Sequence, residues 1–124
     1  MLNLNKIEII GNLGSDPELR FTPNGKPVTN FTVAYDRKYT SNGETKEETI
    51  WFNVIAWSKL AELCNQYLTK GQSVYVSGSI RLHEWEAQDG AKRARLELNA
   101  RDVVFLSRSE QKTQDELELE DAPF

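Results

Sequence analysis

Apolar side chains occupy every second position between residues 49 and 57, which is the clearest pattern in the chain. This period-two alternation is typical of a β-strand, whose successive side chains point to opposite faces. The even positions are all apolar and are predicted to face a core: Ile50, Phe52, Val54 and Ala56. The odd positions form a mixed surface with a large ring near each end: Trp51, Asn53, Ile55 and Trp57.

Turn residues separate this strand from others before it. Residues 5–13 are predicted to form a strand, which residues 19–21 continue after the Asp16-Pro17 turn. The sequence Pro23-Asn24-Gly25-Lys26 predicts a hairpin turn before a long strand over residues 28–39, because Asn and Gly accept positive φ. A polar loop is expected from Ser41 to about Glu48.

One helix and two more strands are predicted after Trp57. Apolar residues recur at helical spacing in Leu60, Leu63, Cys64, Tyr67 and Leu68. Ser58 is expected to cap the start of this helix and Gly71 to end it. The strand over residues 72–85 is expected to point these side chains inward: Val74, Val76, Ile80 and Leu82.

The last predicted strand covers residues 92–106, after a hairpin turn at residues 88–90. Leu96, Leu98 and Ala100 are in phase, and the phase then switches to Val103 and Phe105, so a β-bulge is expected near Arg101-Asp102. Three strands, a helix and two strands are the elements of an all-β OB-fold, a five-stranded Greek-key barrel whose face and loops bind oligonucleotides. Other small barrels have similar strand numbers, although the single helix between strands three and four narrows the choice.

The acidity of the chain lies at its C-terminal end. Residues 107–124 hold two basic and six acidic side chains, whereas residues 1–106 hold thirteen of each. Periodicity is lost after Leu106, so we predict an OB-fold domain over residues 1–106 and a disordered acidic tail over residues 107–124. Because the predicted domain is electrically neutral, any nucleic-acid site depends on where its charges and rings lie.

Several classes of function have no support in the sequence. The single cysteine, Cys64, cannot form an internal disulfide, which favours a reducing, cytoplasmic setting. We expect no membrane span, since no run of about 18 apolar residues occurs, and no secretory signal. His83 is the sole histidine, and no phosphate-binding loop or paired nucleophile and base is present, so no metal, no cofactor and no enzymatic activity are expected.

Aromatic and basic residues at the strand ends are the candidate site. Trp51 and Trp57 share a face about 20 Å apart, which suits two stacking platforms for one extended nucleic-acid strand. Trp85 and Tyr39 end strands beside turn-rich loops. Basic residues that could follow the phosphates are interleaved with these rings: Arg37, Lys38, Lys59, Arg81, Lys92, Arg93 and Arg95.

Each of these residues also has a purely structural interpretation. A tryptophan in a strand is more often packed than bound to a ligand, but Trp51 and Trp57 lie opposite a complete apolar face that already supplies the core. Tyr39 could simply cap a hairpin, and exposed lysines are common on any surface. The tail ends in Pro123-Phe124 after acidic residues, so it is either a solubilising end or a peptide whose terminal ring and carboxylate dock in a partner's pocket.

The residues just described resemble bacterial single-stranded-DNA-binding proteins (SSB). The resemblance lies in residues 5–7, 11–18, 23–25, 59–62 and 67–71 and in the Pro-Phe ending. It implies a homotetramer in which DNA stacks on Tyr39, Trp51, Trp57 and Trp85, with Lys59 and Lys70 at phosphates. It also implies a nucleoid-associated, cytoplasmic protein that recruits replication, recombination and repair proteins through its tip: Glu120, Asp121, Ala122, Pro123 and Phe124.

Three features depart from the family pattern. Tyr39 stands where some relatives carry tryptophan, Ala122 stands where a larger aliphatic residue is common, and the linker before the tip is short. A specialised SSB paralogue therefore stays open, as do a primosome-type OB-fold accessory protein acting mainly as an adaptor, an OB-fold nuclease and an RNA-binding protein.

Overall fold

A computed structural model describes residues 1–106 of the chain. Its elements, in chain order, are β1 (Ile7–Leu13), β2 (Glu18–Phe21), β3 (Pro27–Ser41), β4 (Glu44–Trp57), α1 (Ser58–Tyr67), β5 (Ser73–Glu86) and β6 (Lys92–Phe105). The short strand β2 pairs only with the start of β3, in an antiparallel hairpin. The remaining five strands are long, as the sequence predicted.

The five long strands close into a barrel. The sheet order is β1-β5-β6-β4-β3-β2, and β1 also pairs with β3, which joins the two ends of the sheet. Most neighbours are antiparallel, but β4 and β6 run parallel where Val54 pairs with Leu98 and Ile55 with Asn99. The predicted five-stranded barrel, with a helix between the third and fourth long strands, is confirmed.

The core fills the closed part of the barrel. It comprises Leu13, Phe31, Val33, Val54, Ala56, Cys64, Leu68, Val74, Val76 and Leu98. Cys64 lies on the buried stripe of α1, where burial raises the pKa of its thiol to about 12. The alternating residues of β4 that were predicted to face the core do so at Val54 and Ala56.

Two hairpins project beyond the barrel and correct part of the predicted core. We call residues 35–50 the β3–β4 arm and residues 80–96 the β5–β6 arm. Four side chains predicted to point inward lie on these arms and are exposed: Ile50, Ile80, Leu82 and Leu96. They keep the alternation of buried strands, but within residues 1–106 no second layer covers this part of the sheet.

The predicted polar loop over residues 41–48 is also wrong. β3 and β4 stay paired until Ser41 meets Glu44, so only Asn42 and Gly43 form the turn. Both have positive φ, 53° and 79°, as a two-residue hairpin turn requires. Residues 44–48, whose polar sequence resembles a loop, therefore belong to an exposed pair of antiparallel strands.

The helix ends differ from the prediction as well. Trp57 takes the N-cap position with extended backbone and no side-chain cap, while Ser58 has a positive φ of 57°. The helix stops at Tyr67, where the N–H of Leu68 donates to the carbonyl of Cys64, and Gly71 lies in the turn that follows. The expected β-bulge is confirmed, because Arg101 is the extra residue between the pairs Ser77–Asp102 and Gly78–Ala100.

Candidate nucleic-acid interface

Strand pairing places the three tryptophans on one continuous outer face. Residues directly opposite each other in a sheet share a face, and on β3 and β4 the pairs are Ala34–Trp51, Thr32–Asn53 and Asn30–Ile55. Ile55 adjoins Asn99 of β6. Across β6 and β5 the face continues through Asn99–Ser79, Glu97–Arg81, Arg95–His83 and Arg93–Trp85. We call this surface the binding face.

Trp51 lies open on the binding face at the root of the β3–β4 arm. Its side chain is 57% exposed, and its ring lies against the backbone of Gly14. A methyl group at Gly14 would lie 2.2 Å from Cζ3 of the ring, so only glycine leaves room for this orientation. Gly14 therefore sets the position of an exposed ring.

Trp57 ends β4, at the opposite end of the same strand face. It is partly exposed, and the ammonium of Lys26 lies 5.7 Å from the centre of its ring. This distance falls within cation–π range. The contact brings a positive charge to a ring that could also accept a nucleobase.

Trp85 lies on the β5–β6 arm within a cluster of rings and arginines. It is 39% exposed and stacks on His83, with centroids 5.4 Å apart and planes inclined by 24°. The guanidinium of Arg95 lies 5.8 Å from the centre of the Trp85 ring, and Arg93 pairs directly across from Trp85. His83 was considered in the sequence only as a metal ligand, yet alternation along the strand already placed it beside Trp85.

Tyr39 lies apart from the tryptophans. It pairs with Lys46 and belongs to the side of the β3–β4 arm opposite that of Trp51. It is partly exposed, and the guanidinium of Arg37 lies 5.0 Å from its ring. Tyr39 and Arg37 therefore form a separate aromatic–cationic pair on the arm.

The predicted cations divide into two groups. Four pair with exposed or nearby acids: Arg37 with Glu48 at 3.0 Å, Lys38 with Glu47 at 3.5 Å, Arg93 with Asp89 at 3.2 Å and Arg95 with Glu97 at 3.1 Å. Within residues 1–106, no ion pair involves the other four cations: Lys59, Lys70, Arg81 and Lys92. Exposed ion pairs are worth only about 0–1 kcal/mol, so a phosphate could replace the carboxylate partner.

The cations also differ in position. Arg81, Arg93 and Arg95 lie on the binding face, and Lys38 shares the Trp51 side of its arm. Lys59 lies on α1 and Lys70 in the turn before β5, where its backbone N–H donates to Asp16 Oδ1. The structure thus gathers the arginines of the β5–β6 arm around Trp85 and leaves the two lysines outside the sheet.

Polar residues occupy the middle of the binding face. Asn53 and Thr32 lie between Trp51 and Trp57, and the buried Glu97 receives two hydrogen bonds from Arg95. In the sequence, Asn53 is only one residue of a mixed surface, and no pattern draws attention to Glu97. Asn53 and Glu97 lie on the same face because β4 and β6 are neighbouring strands. The local sequence pattern does not show which strands are neighbours.

Three further observations concern metal ions, membranes and the C-terminal tip. Among residues 1–106 there is no group of three or more His, Cys, Asp or Glu side chains that could hold a metal ion. In the same residues, no helix has the length and apolar character needed to cross a membrane. The predicted partner-binding tip, residues 120–124, lies beyond the described residues.

The closed barrel and its ring-bearing face define a small OB-fold protein. Residues 4–106 match the model of the single-strand binding protein family, so the chain belongs to that family. A structure of a Plasmodium falciparum SSB in complex with ssDNA is similar, with a TM-score of 0.80, 28% identity and coverage of 86% of this chain and 98% of that chain.

Bacterial relatives have higher identity. Single-stranded DNA-binding proteins of Neisseria meningitidis serogroups A and B are each 41% identical over 106 residues, which cover 85% of this chain and 61% of the relative. Single-stranded DNA-binding protein 1 of Chlorobaculum tepidum is 41% identical over 105 residues, covering 83% of this chain and 65% of the relative. The chain thus spans less than two thirds of the length of these relatives.

Proposed function

We propose that this protein binds single-stranded DNA without strong sequence preference. In this proposal the bases stack on exposed rings, and the protein catalyses no reaction on the DNA. The observation that carries the proposal is the placement of Trp51, Trp57 and Trp85 on one face, with Lys26 beside Trp57 and with Arg93 and Arg95 beside Trp85. Membership of the single-strand binding protein family supports the same function.

In this proposal bases stack on the exposed rings while phosphates contact the surrounding cations. Stacking tolerates any sequence because every base has a π-face, and each stacked base contributes about 1–3 kcal/mol. Arg37, Lys38 and Arg93 would exchange an exposed carboxylate for a phosphate, whereas Arg81, Lys59 and Lys70 would bind directly. Arg95 pairs with the buried Glu97 and would keep that partner. Affinity should fall with rising salt, with a slope of about −0.7 for each phosphate neutralised.

Fluorescence titration with poly-dT at two salt concentrations tests the proposal. Bases that stack on the indoles should quench tryptophan emission, and Trp51→Ala or Trp57→Ala should weaken binding about fivefold or more. Phe21→Ala is the matched control for Trp51→Ala, because the two rings are similarly exposed, at 64% and 57%, but alternation along β2 places Phe21 on the side opposite Arg20, which shares the face of Trp57. Unquenched emission at low salt, or Trp51→Ala no weaker than Phe21→Ala, would reject stacking.

We further propose that the protein assembles as a homotetramer. Ile10, Tyr75 and Val104 pair side by side on the outer surface of the barrel, where Ile10 is 60% exposed. A groove of about 550 Å³ lies beside them, lined largely by apolar side chains of β1, β3 and β4. Exposed apolar patches of this kind often mark interfaces. Light scattering at micromolar concentration should give the mass of four chains, and Ile10→Glu should reduce it.

The tip is proposed to recruit replication, recombination and repair proteins to DNA held at the nucleoid. Its acidic residues and terminal Phe124 offer charge steering and a pocket anchor. Removal of residues 120–124 should abolish capture of such enzymes while leaving dT affinity unchanged. If the truncated protein still captured these enzymes, or if it lost dT binding, the division of roles between the tip and the domain would be contradicted.

A further inference from the structure

A buried carboxylate lies on the binding face and has no part in the stacking mechanism. Glu97 is buried at the root of the β5–β6 arm, although its neighbours on the same side of β6, Arg95 and Asn99, are more open. Across the strand pair it lies opposite Arg81. A carboxylate is an unfavourable group beside a polyanion, because like charges repel. Its place on this face therefore points to a role other than contact with DNA.

Glu97 binds one arginine. The two hydrogen bonds that Glu97 accepts within residues 1–106 both come from Arg95, whose Nε and Nη2 donate to Oε2 at 3.3 and 3.1 Å. The Arg95 side chain is 44% exposed, whereas that of Glu97 is only 7% exposed. The other ion pairs of the predicted cations join two exposed side chains. Arg95 therefore has the one partner among them that solvent and salt screen least.

The same guanidinium lies beside a stacking ring. The central carbon of the Arg95 guanidinium is 5.8 Å from the centre of the Trp85 ring, within cation–π range. Because Nε and Nη2 donate to Glu97, the Nη1 group stays available to a phosphate. Glu97 is the first residue beyond the arm, and the next residue, Leu98, belongs to the core. Arg95 thus connects a ring on the arm to a buried group of the barrel.

We propose that Glu97 is a positioning residue, which holds the Arg95 guanidinium beside Trp85 and so prearranges a cation next to a stacking ring. The inference rests on the proposed DNA binding. A free arginine side chain has much rotamer freedom, which it loses when it binds a phosphate. An arginine that Glu97 already holds has lost that freedom before DNA arrives, so binding costs less. This role favours no base, because Arg95 would contact the DNA backbone.

The direction of the effect of Glu97→Gln tests this role. If Glu97 acted only through its charge, its removal would reduce repulsion and strengthen DNA binding. If it positions Arg95, Glu97→Gln should weaken dT binding about two- to tenfold, the cost of immobilising one such side chain. Glu84→Gln is the matched control, because Glu84 is exposed on the opposite side of the same arm, where it pairs with Ala94. This control should not weaken binding.

A double-variant cycle tests whether Glu97 acts through Arg95. In an Arg95→Ala background, Glu97→Gln should cause no further loss of dT affinity. Arg95→Lys provides a second background, which keeps a positive partner for the buried carboxylate but lacks the planar fork that makes two hydrogen bonds to it. The added loss should be small there too. An effect that was merely structural would persist at full size in both backgrounds.

Fluorine NMR of protein labelled with fluorotryptophan tests the contact without DNA. Trp85→Phe and Trp57→Phe assign the two resonances. Glu97→Gln should shift or broaden the Trp85 resonance, because the guanidinium beside that ring is no longer held. The Trp57 resonance should stay in place, because the cation beside Trp57 is Lys26. Glu84→Gln should change neither resonance.

The outcomes separate this inference from the proposed function. If Glu97→Gln bound dT as tightly as Glu84→Gln or more tightly, the positioning role would be overturned. An equal loss with and without Arg95 would overturn its action through that arginine. Failure of the unaltered protein to bind dT would reject the proposed function, whereas an unchanged Trp85 resonance in Glu97→Gln would reject the positioning role on its own.

Discussion

The barrel and its two arms share one sequence pattern but have opposite surroundings. In the barrel, alternating apolar residues such as Val33, Val74 and Val76 are completely buried. In the arms the same alternation continues through Leu82 and Leu96, which remain exposed. Alternation therefore reports which side chains share a face, whereas burial depends on whether another layer covers that face.

The four candidate stacking rings are divided between the same two regions. Trp51 and Trp57 lie at either end of the barrel portion of β4, whereas Trp85 and Tyr39 lie on the arms. Exposed hairpins with few buried apolar contacts have the lowest local stability in a protein. The barrel should therefore hold two rings in fixed positions, while the arms present the other two and most of the ion-paired cations.

One substitution made in both regions gives the largest predicted contrast. Leu13→Ala removes a side chain that is 3% exposed in the barrel core, so it should lower the free energy of unfolding by about 2–5 kcal/mol. Leu82→Ala removes one that is 53% exposed on the β5–β6 arm, so it should change that free energy by no more than about 0.5 kcal/mol. Urea unfolding monitored by circular dichroism measures both.

A Leu82→Ala cost that approached that of Leu13→Ala would break the comparison. It would mean that the arm is covered by another copy of the chain rather than by solvent. Repeating the measurement over a range of protein concentrations distinguishes these cases, because only a cost that arises in an assembly depends on concentration.

The same contrast between local pattern and burial explains which features of the molecule could be predicted from its sequence. The element order, the bulge at Arg101 and the exposure of Trp51 follow from local periodicity. The arm ladder over residues 44–48 was missed because polar residues in an exposed hairpin resemble a loop. The contact of Gly14 with Trp51 and the pairing of Arg93 across from Trp85 depend on segments that meet only in the folded chain.

Gly14→Ala tests whether the barrel sets the orientation of Trp51. The added methyl group would meet the Trp51 ring at 2.2 Å, so the ring must move. We expect dT affinity to fall about three- to tenfold, which is part of the value of one stacked base. In a Trp51→Ala background the same change should cost little further affinity, because the ring is already gone. Additive losses in the double variant would indicate a different cause.

Ser58→Gly and Asn42→Gly compare backbone strain at the barrel and at an arm tip. Both residues have positive φ, 57° for Ser58 and 53° for Asn42. Asparagine visits this region readily and serine does not. Ser58→Gly should therefore raise the free energy of unfolding by about 1 kcal/mol, while Asn42→Gly should change it by only about a few tenths. If thermal unfolding showed that both substitutions change stability equally, the backbone strain would not depend on whether the residue is serine or asparagine.

The smallest predicted effect concerns an exposed contact on the outside of the barrel. Tyr75 donates a hydrogen bond to Glu8, and with help from Lys6 this lowers the pKa of the Glu8 carboxyl below its ordinary 4.5. The same hydrogen bond raises the pKa of the Tyr75 phenol above 10.0. Because the folded pKa of Glu8 is depressed, its stabilisation is present above pH 4.5 and is lost as the pH falls through the folded value.

Tyr75→Phe should remove the alkaline pH dependence and reduce the acidic one, because Lys6 still lowers the pKa of Glu8. The raised phenol pKa stabilises the fold below pH 10.0, and this contribution is lost as the pH rises through the folded value. Melting temperatures of the variant should therefore decline less steeply than those of the unaltered protein below pH 4.5 and above pH 10.0. Glu8→Gln should reproduce the change, because it removes the same partner. A uniform shift of the melting temperature at every pH would instead indicate lost packing of the Tyr75 ring. The surroundings of Tyr75 would then resemble those of a barrel core residue and not those of an exposed arm residue.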